Sequence, residues 1–183
     1  MHRRTFIQSA LALAAVPLVR PALALAGTGE TTLTTTHEAE GAAQGFPKLN
    51  KPKAEWRKLL DDAQYDVLFE ESTERAGTSP LNAEKRPGTF VCAACYLPLF
   101  ESKTKFESGT GWPSFFDPIA GRVATKRDFK MIIPRTEYHC ARCGGHQGHV
   151  FNDGPAPTGK RYCNNGVALR FVASGEALPA LRT

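Results

Sequence analysis

Five cysteines are the residues in this sequence best equipped for chemistry, and four of them fall into two pairs. Cys92-Ala93-Ala94-Cys95 and Cys140-Ala141-Arg142-Cys143 are both Cys-x-x-Cys, a spacing at which one tight turn presents two thiolates to a common point. Two such turns complete the tetrahedral four-sulfur shell of a structural zinc ion. The pairs lie farther apart than in short zinc ribbons, so a shared ion would clip two distant β-turns together. Two disulfides are the rival arrangement, and an oxidising compartment favours them. Small residues between the cysteines and Gly144-Gly145 after the second pair argue for turns wrapped around zinc.

Pairing four cysteines leaves Cys163, in Arg161-Tyr162-Cys163-Asn164-Asn165. A lone cysteine is commonly a small buried hydrophobe. Its neighbours point elsewhere: Arg161 would favour the thiolate, and Asn165, two residues on in an extended run, would share its face. The stretch from Gly144 to Pro155 reads as a glycine-rich turn holding His146, His149 and Asp153. The two histidines could ligate metal. Since four cysteines already fill a zinc shell, proton transfer beside a nucleophilic thiol is the preferred use. Ser108 to Phe116 contains Gly-Trp-Pro-Ser-Phe, where Trp112 and Phe115 are either core or an apolar wall for a small sulfur-bearing side chain.

These groups need a scaffold to meet. Trp56, Leu59, Leu60 and Ala63 recur at helical spacing and predict one amphipathic helix, with a second short one over Tyr65 to Glu71. After Gly77 the texture changes to short β-type runs, Thr89 to Cys92, Lys130 to Ile133, Glu137 to Cys140 and Val167 to Phe171, separated by Gly and Pro. The expectation is a mainly β (α+β) domain with short N-terminal helices.

At the front, His2-Arg3-Arg4-Thr5-Phe6-Ile7 precedes an apolar stretch from Ser9 to Val19 and a small-x-small pattern at Ala24-Leu25-Ala26. This is the layout of a signal peptide over 1–26, and the paired arginines resemble a twin-arginine export signal. The apolar run falls short of the roughly 20 residues of a bilayer span. Cleavage after Ala26 would leave 157 residues and lower the formal charge from +5 to +2, which weakens any nucleic-acid reading of the basic pI. Residues 27–45 read as a flexible linker and 46–183 as the catalytic domain, with no membrane span after cleavage and a periplasmic location.

Jointly, the two Cys-x-x-Cys pairs, Gly-Trp-Pro-Ser-Phe, His-x-Gly-His-Val-Phe-x-Asp-Gly-Pro and Arg-Tyr-Cys-x-Asn resemble the methionine sulfoxide reductases of the B type, from about Phe46 to Phe171. The resemblance implies two antiparallel sheets of the β-tent type and reduction of methionine R-sulfoxide, free or within proteins. Cys163 would attack the sulfoxide sulfur and be left as a sulfenic acid. His146 and His149 would assist protonation of the oxygen, Asp153 would orient a histidine, Arg161 would lower the thiolate pKa, and Asn165 would help hold water or substrate. Trp112 would meet the ε-methyl. Many relatives carry a resolving cysteine just before Gly-Trp-Pro-Ser-Phe, where this chain has Thr110. An external thiol, such as a thioredoxin-like partner, would then regenerate Cys163 in a monomeric enzyme. Two other readings use fewer of these residues: a non-catalytic binding module with Trp112 in an aromatic cage, and a thiol redox sensor that needs Cys163 alone.

Overall fold

The structure, a computed structural model, describes residues 45–129 and 134–183. The expected leader, nearly all of the linker and the expected strand over Lys130 to Ile133 lie outside the described residues.

The first expected helix is two elements in part. α1 (Lys53–Arg57) ends early, and α2 (Asp62–Glu70) begins where the Asp61 side chain accepts a hydrogen bond from the Gln64 N–H at 2.8 Å. An aspartate in that position caps a helix N-terminus, so the chain turns instead of continuing. The turn buries Trp56 and Leu60 while Leu59 stays 46% exposed. Trp56 stacks on Phe69 of α2 with ring centroids 5.2 Å apart.

Beyond the helices, β1 (Gly88–Cys92), β2 (Pro98–Glu101) and β9 (Leu169–Ala173) form an antiparallel sheet in the order β2-β1-β9. The second sheet takes β3 (Lys105–Phe106), β4 (Ser114–Phe115), β5 (Val123–Asp128), β6 (Arg135–Cys140), β7 (His146–Phe151) and β8 (Arg161–Asn164). Its order is β3-β4-β8-β7-β6-β5. The fold is therefore mainly β, with two antiparallel sheets and short leading helices, as expected. Val167 is the exception: Gly166–Ala168 is a short 3-10 helix, and the strand starts only at Leu169.

The core lies between the sheets. Phe90 and Phe100 from the small sheet meet Phe115 and Tyr138 from the large one, and all four are fully buried. Phe100 and Phe115 stack at 4.2 Å with 12° between planes. Each such ring contributes about 1.5–3 kcal/mol by leaving water. Alternation along the strands then commits the other face of the large sheet to polar side chains. Among the described residues no helix is long and apolar enough to cross a membrane.

Candidate active site

One row of side chains crosses the polar face of the large sheet. Lys126 pairs with Glu137, Glu137 with His149, His149 with Cys163 and Cys163 with Ser114. Directly opposed residues of antiparallel strands project to the same side with Cβ atoms roughly 4.5–5.5 Å apart. The histidine and the thiol are thus cross-strand neighbours, although 14 positions separate them in the sequence.

The segment expected to be a glycine-rich turn is strand β7, and glycine is needed there for close packing. A Cβ on Gly148 would sit 1.9 Å from the Cys163 carbonyl oxygen. The strand also carries a bulge. Tyr138 opposes Gly148 and His139 opposes His146, which leaves Gln147 as the extra residue. In a regular strand, residues three apart face opposite ways; one inserted residue restores them to the same face. His146 and His149 accordingly meet edge to face, with ring centroids 5.5 Å apart.

Each histidine has its own carboxylate, and neither is Asp153. His149 Nε2 lies 2.8 Å from Asp128 Oδ2, which also receives Arg135 Nη2 at 2.7 Å. His146 Nδ1 is 3.0 Å from Glu137 Oε1, close but poorly aligned for a hydrogen bond. Burial would raise the Glu137 carboxyl, but His146 and Lys126 outweigh it and hold the group below its usual range. For His149 burial dominates over Asp128 and lowers the pKa, so the ring is neutral at neutral pH. A neutral ring that donates Nε2–H to Asp128 keeps Nδ1 as its acceptor.

Asp153 instead grips Arg161, with Nε–Oδ1 and Nη2–Oδ2 both 2.9 Å. The physical reason is register: Phe151 opposes Arg161 at the end of β7 and β8, so the next turn brings Asp153 onto the guanidinium. Arg161 is buried and lies over the Phe151 ring, 4.4 Å from its centroid. The expectation that Arg161 draws the thiol pKa down holds only as a contribution. Burial pushes the Cys163 thiol up, Arg161 and the Thr110 hydroxyl pull against it, and the net position is above the ordinary cysteine value.

A cleft of about 120 Å³ opens on Cys163, lined by Thr73, Trp112, Arg135, His149, Phe151 and the two asparagines after the cysteine. Trp112 is there as expected, its Nε1–H donating to the Glu74 carbonyl at 3.1 Å. Phe115 is not. Ser114 is the residue opposite Cys163, so Phe115 points the other way, pairs with Tyr162 and fills the core. The aromatic ring that joins Trp112 in the cleft is Phe151. Asn165 borders the cleft, but its amide is taken by protein: Oδ1 accepts from Glu74 N–H at 3.0 Å, and Nδ2 donates to the Gln147 carbonyl at 3.0 Å. Asp128, Glu137, Arg135, Thr73 and Phe151 were not identified from the sequence; only the strand pairing discloses the first three.

The four paired cysteines converge elsewhere, at the ends of β1 and β6. Their sulfurs lie within 4.8 Å of one another, with Cys92–Cys143 at 3.8 Å and Cys95–Cys140 at 3.5 Å. Sulfurs at about 2.3 Å from a tetrahedral zinc would be separated by roughly 3.8 Å, so this donor set fits such an ion. Gln147 links the two centres: its Nε2–H donates to Cys92 Sγ at 3.6 Å, and its main-chain carbonyl accepts from Asn165.

A thiol, two histidines and an aromatic wall on a β-sheet beside a four-cysteine cluster define a SelR-type domain, and the SelR domain family matches residues 60–173. The peptide methionine sulfoxide reductase MsrB of Methanosarcina barkeri is 52% identical over 129 residues, spanning 70% of this chain and 91% of that protein. That of Agrobacterium fabrum is 52% identical over 126 residues, 68% of this chain and 93% of that protein. The chloroplastic B1 enzyme of Arabidopsis thaliana is 52% identical over 120 residues, 65% and 59% of the two chains. The chain belongs to the peptide methionine sulfoxide reductase MsrB family, and is a methionine-R-sulfoxide reductase, an oxidoreductase.

Proposed function

We propose that Cys163 is the nucleophile of this reduction and His149 its proton carrier. The observation that supports this most is their direct opposition across β7 and β8 inside the cleft that Trp112 walls. Because Cys163 is raised and His149 lowered, the resting pair is thiol and neutral imidazole. His149 Nδ1 takes the thiol proton, the sulfur attacks the sulfoxide sulfur, and the proton passes to the sulfoxide oxygen. That attack makes an S–S bond. As the protonated oxygen passes from the substrate sulfur to Cys163 Sγ, the S–S bond and the substrate's S–O bond both break, methionine leaves two electrons richer, and Cys163 is left as a sulfenic acid. Arg161, held by Asp153, stabilises the transient thiolate. Asp128 keeps the Nε2–H tautomer of His149, and Trp112 with Phe151 receives the substrate's methyl end. Asn165, its amide held by Glu74 and Gln147, braces the rim of the cleft instead of binding water or substrate itself.

Regeneration falls to an external thiol. Thr110, whose hydroxyl reaches Cys163, occupies the place of an internal resolver, and the other four cysteines are gathered in the cluster. One donor thiol displaces water from the sulfenic acid, giving a mixed disulfide. A second releases Cys163 and leaves the donor oxidised, as a thioredoxin-like dithiol would do. Zinc held by Cys92, Cys95, Cys140 and Cys143 would be structural, since four protein ligands leave no open position for substrate. The arginine pair and apolar stretch at the N-terminus support export and a repair role in the cell envelope, with the enzyme acting as a monomer.

Assay of the purified protein on each sulfoxide epimer, first with dithiothreitol and then with a thioredoxin, tests the reading. It predicts turnover of the R epimer with both donors and none of the S epimer. A Thr110→Cys variant should trap a 110–163 disulfide after one turnover, which the wild type cannot form.

A further inference from the structure

Between α2 and the next 3-10 helix (Pro80–Asn82) runs a stretch without regular structure, and one residue in it touches both walls of the cleft. The Glu74 main chain accepts the Trp112 indole N–H through its carbonyl at 3.1 Å. Its own N–H donates to Asn165 Oδ1 at 3.0 Å. Its carboxylate accepts from the Gly166 N–H at 2.5 Å and the Val167 N–H at 3.0 Å. Those two amides open the 3-10 helix that directly follows Cys163-Asn164-Asn165, a helix whose N-cap residue provides no side-chain cap of its own. Charge-assisted bonds of this kind are about twice as strong as neutral ones.

The segment is pressed against both walls. A Cβ on Gly166 would fall 1.9 Å from Ser79 Oγ, and one on Gly111 would fall 2.9 Å from the Gly77 nitrogen. Gly77 N–H also donates to the Gly111 carbonyl at 2.7 Å, which Asn82 Nδ2 reaches at 2.9 Å. The large sheet holds the two main chains together, with Ser114 opposite Cys163 and Asn164 N–H donating to the Pro113 carbonyl at 2.9 Å, but it leaves the indole's position to Glu74. Trp112 lies just before β4 and has no hydrogen bond to the strand that carries Cys163; its indole N–H is spent on Glu74.

We infer that Glu74 is a positioning residue for substrate binding, a clamp that fixes the spacing between the Trp112 indole and the Cys163 segment and so sets how tightly the sulfoxide side chain is held. The inference rests on Trp112 being the substrate wall. It acts on binding, because none of its contacts reaches the sulfur, His149 or Asp128.

Glu74→Gln keeps the length of the side chain but replaces one carboxylate acceptor with an amide donor facing an N–H. Losing one such bond predicts a KM for R-sulfoxide about tenfold higher, with kcat within about threefold of wild type. The pH profile of Cys163 alkylation by iodoacetamide should not move. Trp112→Phe keeps an aromatic ring and removes the indole N–H, so it should raise KM comparably without touching the carboxylate contacts. In the double variant the two effects should fall short of multiplying, because both loosen one clamp. Unchanged KM in Glu74→Gln, or multiplicative effects in the double variant, overturns the clamp. If Trp112→Ala leaves KM unchanged, the wall itself is wrong, a failure of the functional reading that is distinct from that of the clamp. Should Glu74→Gln not yield folded protein, the Trp112→Phe kinetics decide alone: a fall in kcat at constant KM overturns the inference.

Discussion

His149 stands directly opposite Cys163 across strands β7 and β8, and its Nε2 is anchored 2.8 Å from Asp128 Oδ2. Proton transfer through this pair predicts that His149→Gln lowers kcat by about 10²–10⁴ with little change in KM. Asp128→Asn should lower kcat less, since the imidazole remains but its tautomer is no longer imposed. Steady-state kinetics on folded variants checks both; a His149→Gln enzyme within a few-fold of wild type removes His149 from the mechanism.

Two phenylalanines should separate core from site. Phe115 stacks on Phe100 between the sheets, so Phe115→Ala should cost about 3–5 kcal/mol of stability. Phe151 lines the cleft, so Phe151→Ala should raise KM with a smaller loss of stability. Thermal melting and KM measured on both variants decide the assignment.

The four-cysteine cluster was legible because Cys-x-x-Cys spacing is a local property, complete within a turn. Cys163 was legible by subtraction. The carboxylates were not: Asp128 and Glu137 reach His149 and His146 only through the pairing of β5, β6 and β7, and Asp153 was assigned to a histidine only by the family resemblance. Phe115 was misplaced for want of register, since Ser114 opposite Cys163 forces its neighbour to the far face. The helix break at Asp61 was readable in principle, because an aspartate three residues before Gln64 is a capping signal. The bulge at Gln147 has no such signal, yet it puts the two histidines side by side.

Metal and fold should be lost together. Cys92→Ser leaves three thiols where a tetrahedral ion needs four, and structural zinc sites contribute roughly 10 kcal/mol or more to folding in small domains. Metal analysis should show one zinc per wild-type chain and little in the variant, with a large fall in Tm. Chelator treatment of the wild type should reproduce that fall. A fully stable, metal-free protein would contradict a structural role.

Acid should destabilise the protein through His149. Burial holds its folded pKa below the usual 6.5, so the unfolded chain takes up that proton first as pH falls. The stabilising contribution is complete above about pH 6.5 and is lost as pH drops through the folded value. Tm recorded between about pH 7.5 and 5.5 should decline, and His149→Gln should flatten the decline. An unchanged slope in the variant would place the titration elsewhere.

In the proposed mechanism one sulfur, that of Cys163, accepts the oxygen. Reaction of the reductant-free enzyme with a single equivalent of methionine R-sulfoxide, followed by sulfenic-acid labelling and mass spectrometry, tests it most directly. One methionine should be released per chain, with the label on Cys163 alone, zinc retained, and no methionine from Cys163→Ser. Methionine formed by Cys163→Ser, or an oxidised cluster cysteine in place of a labelled Cys163, would contradict it.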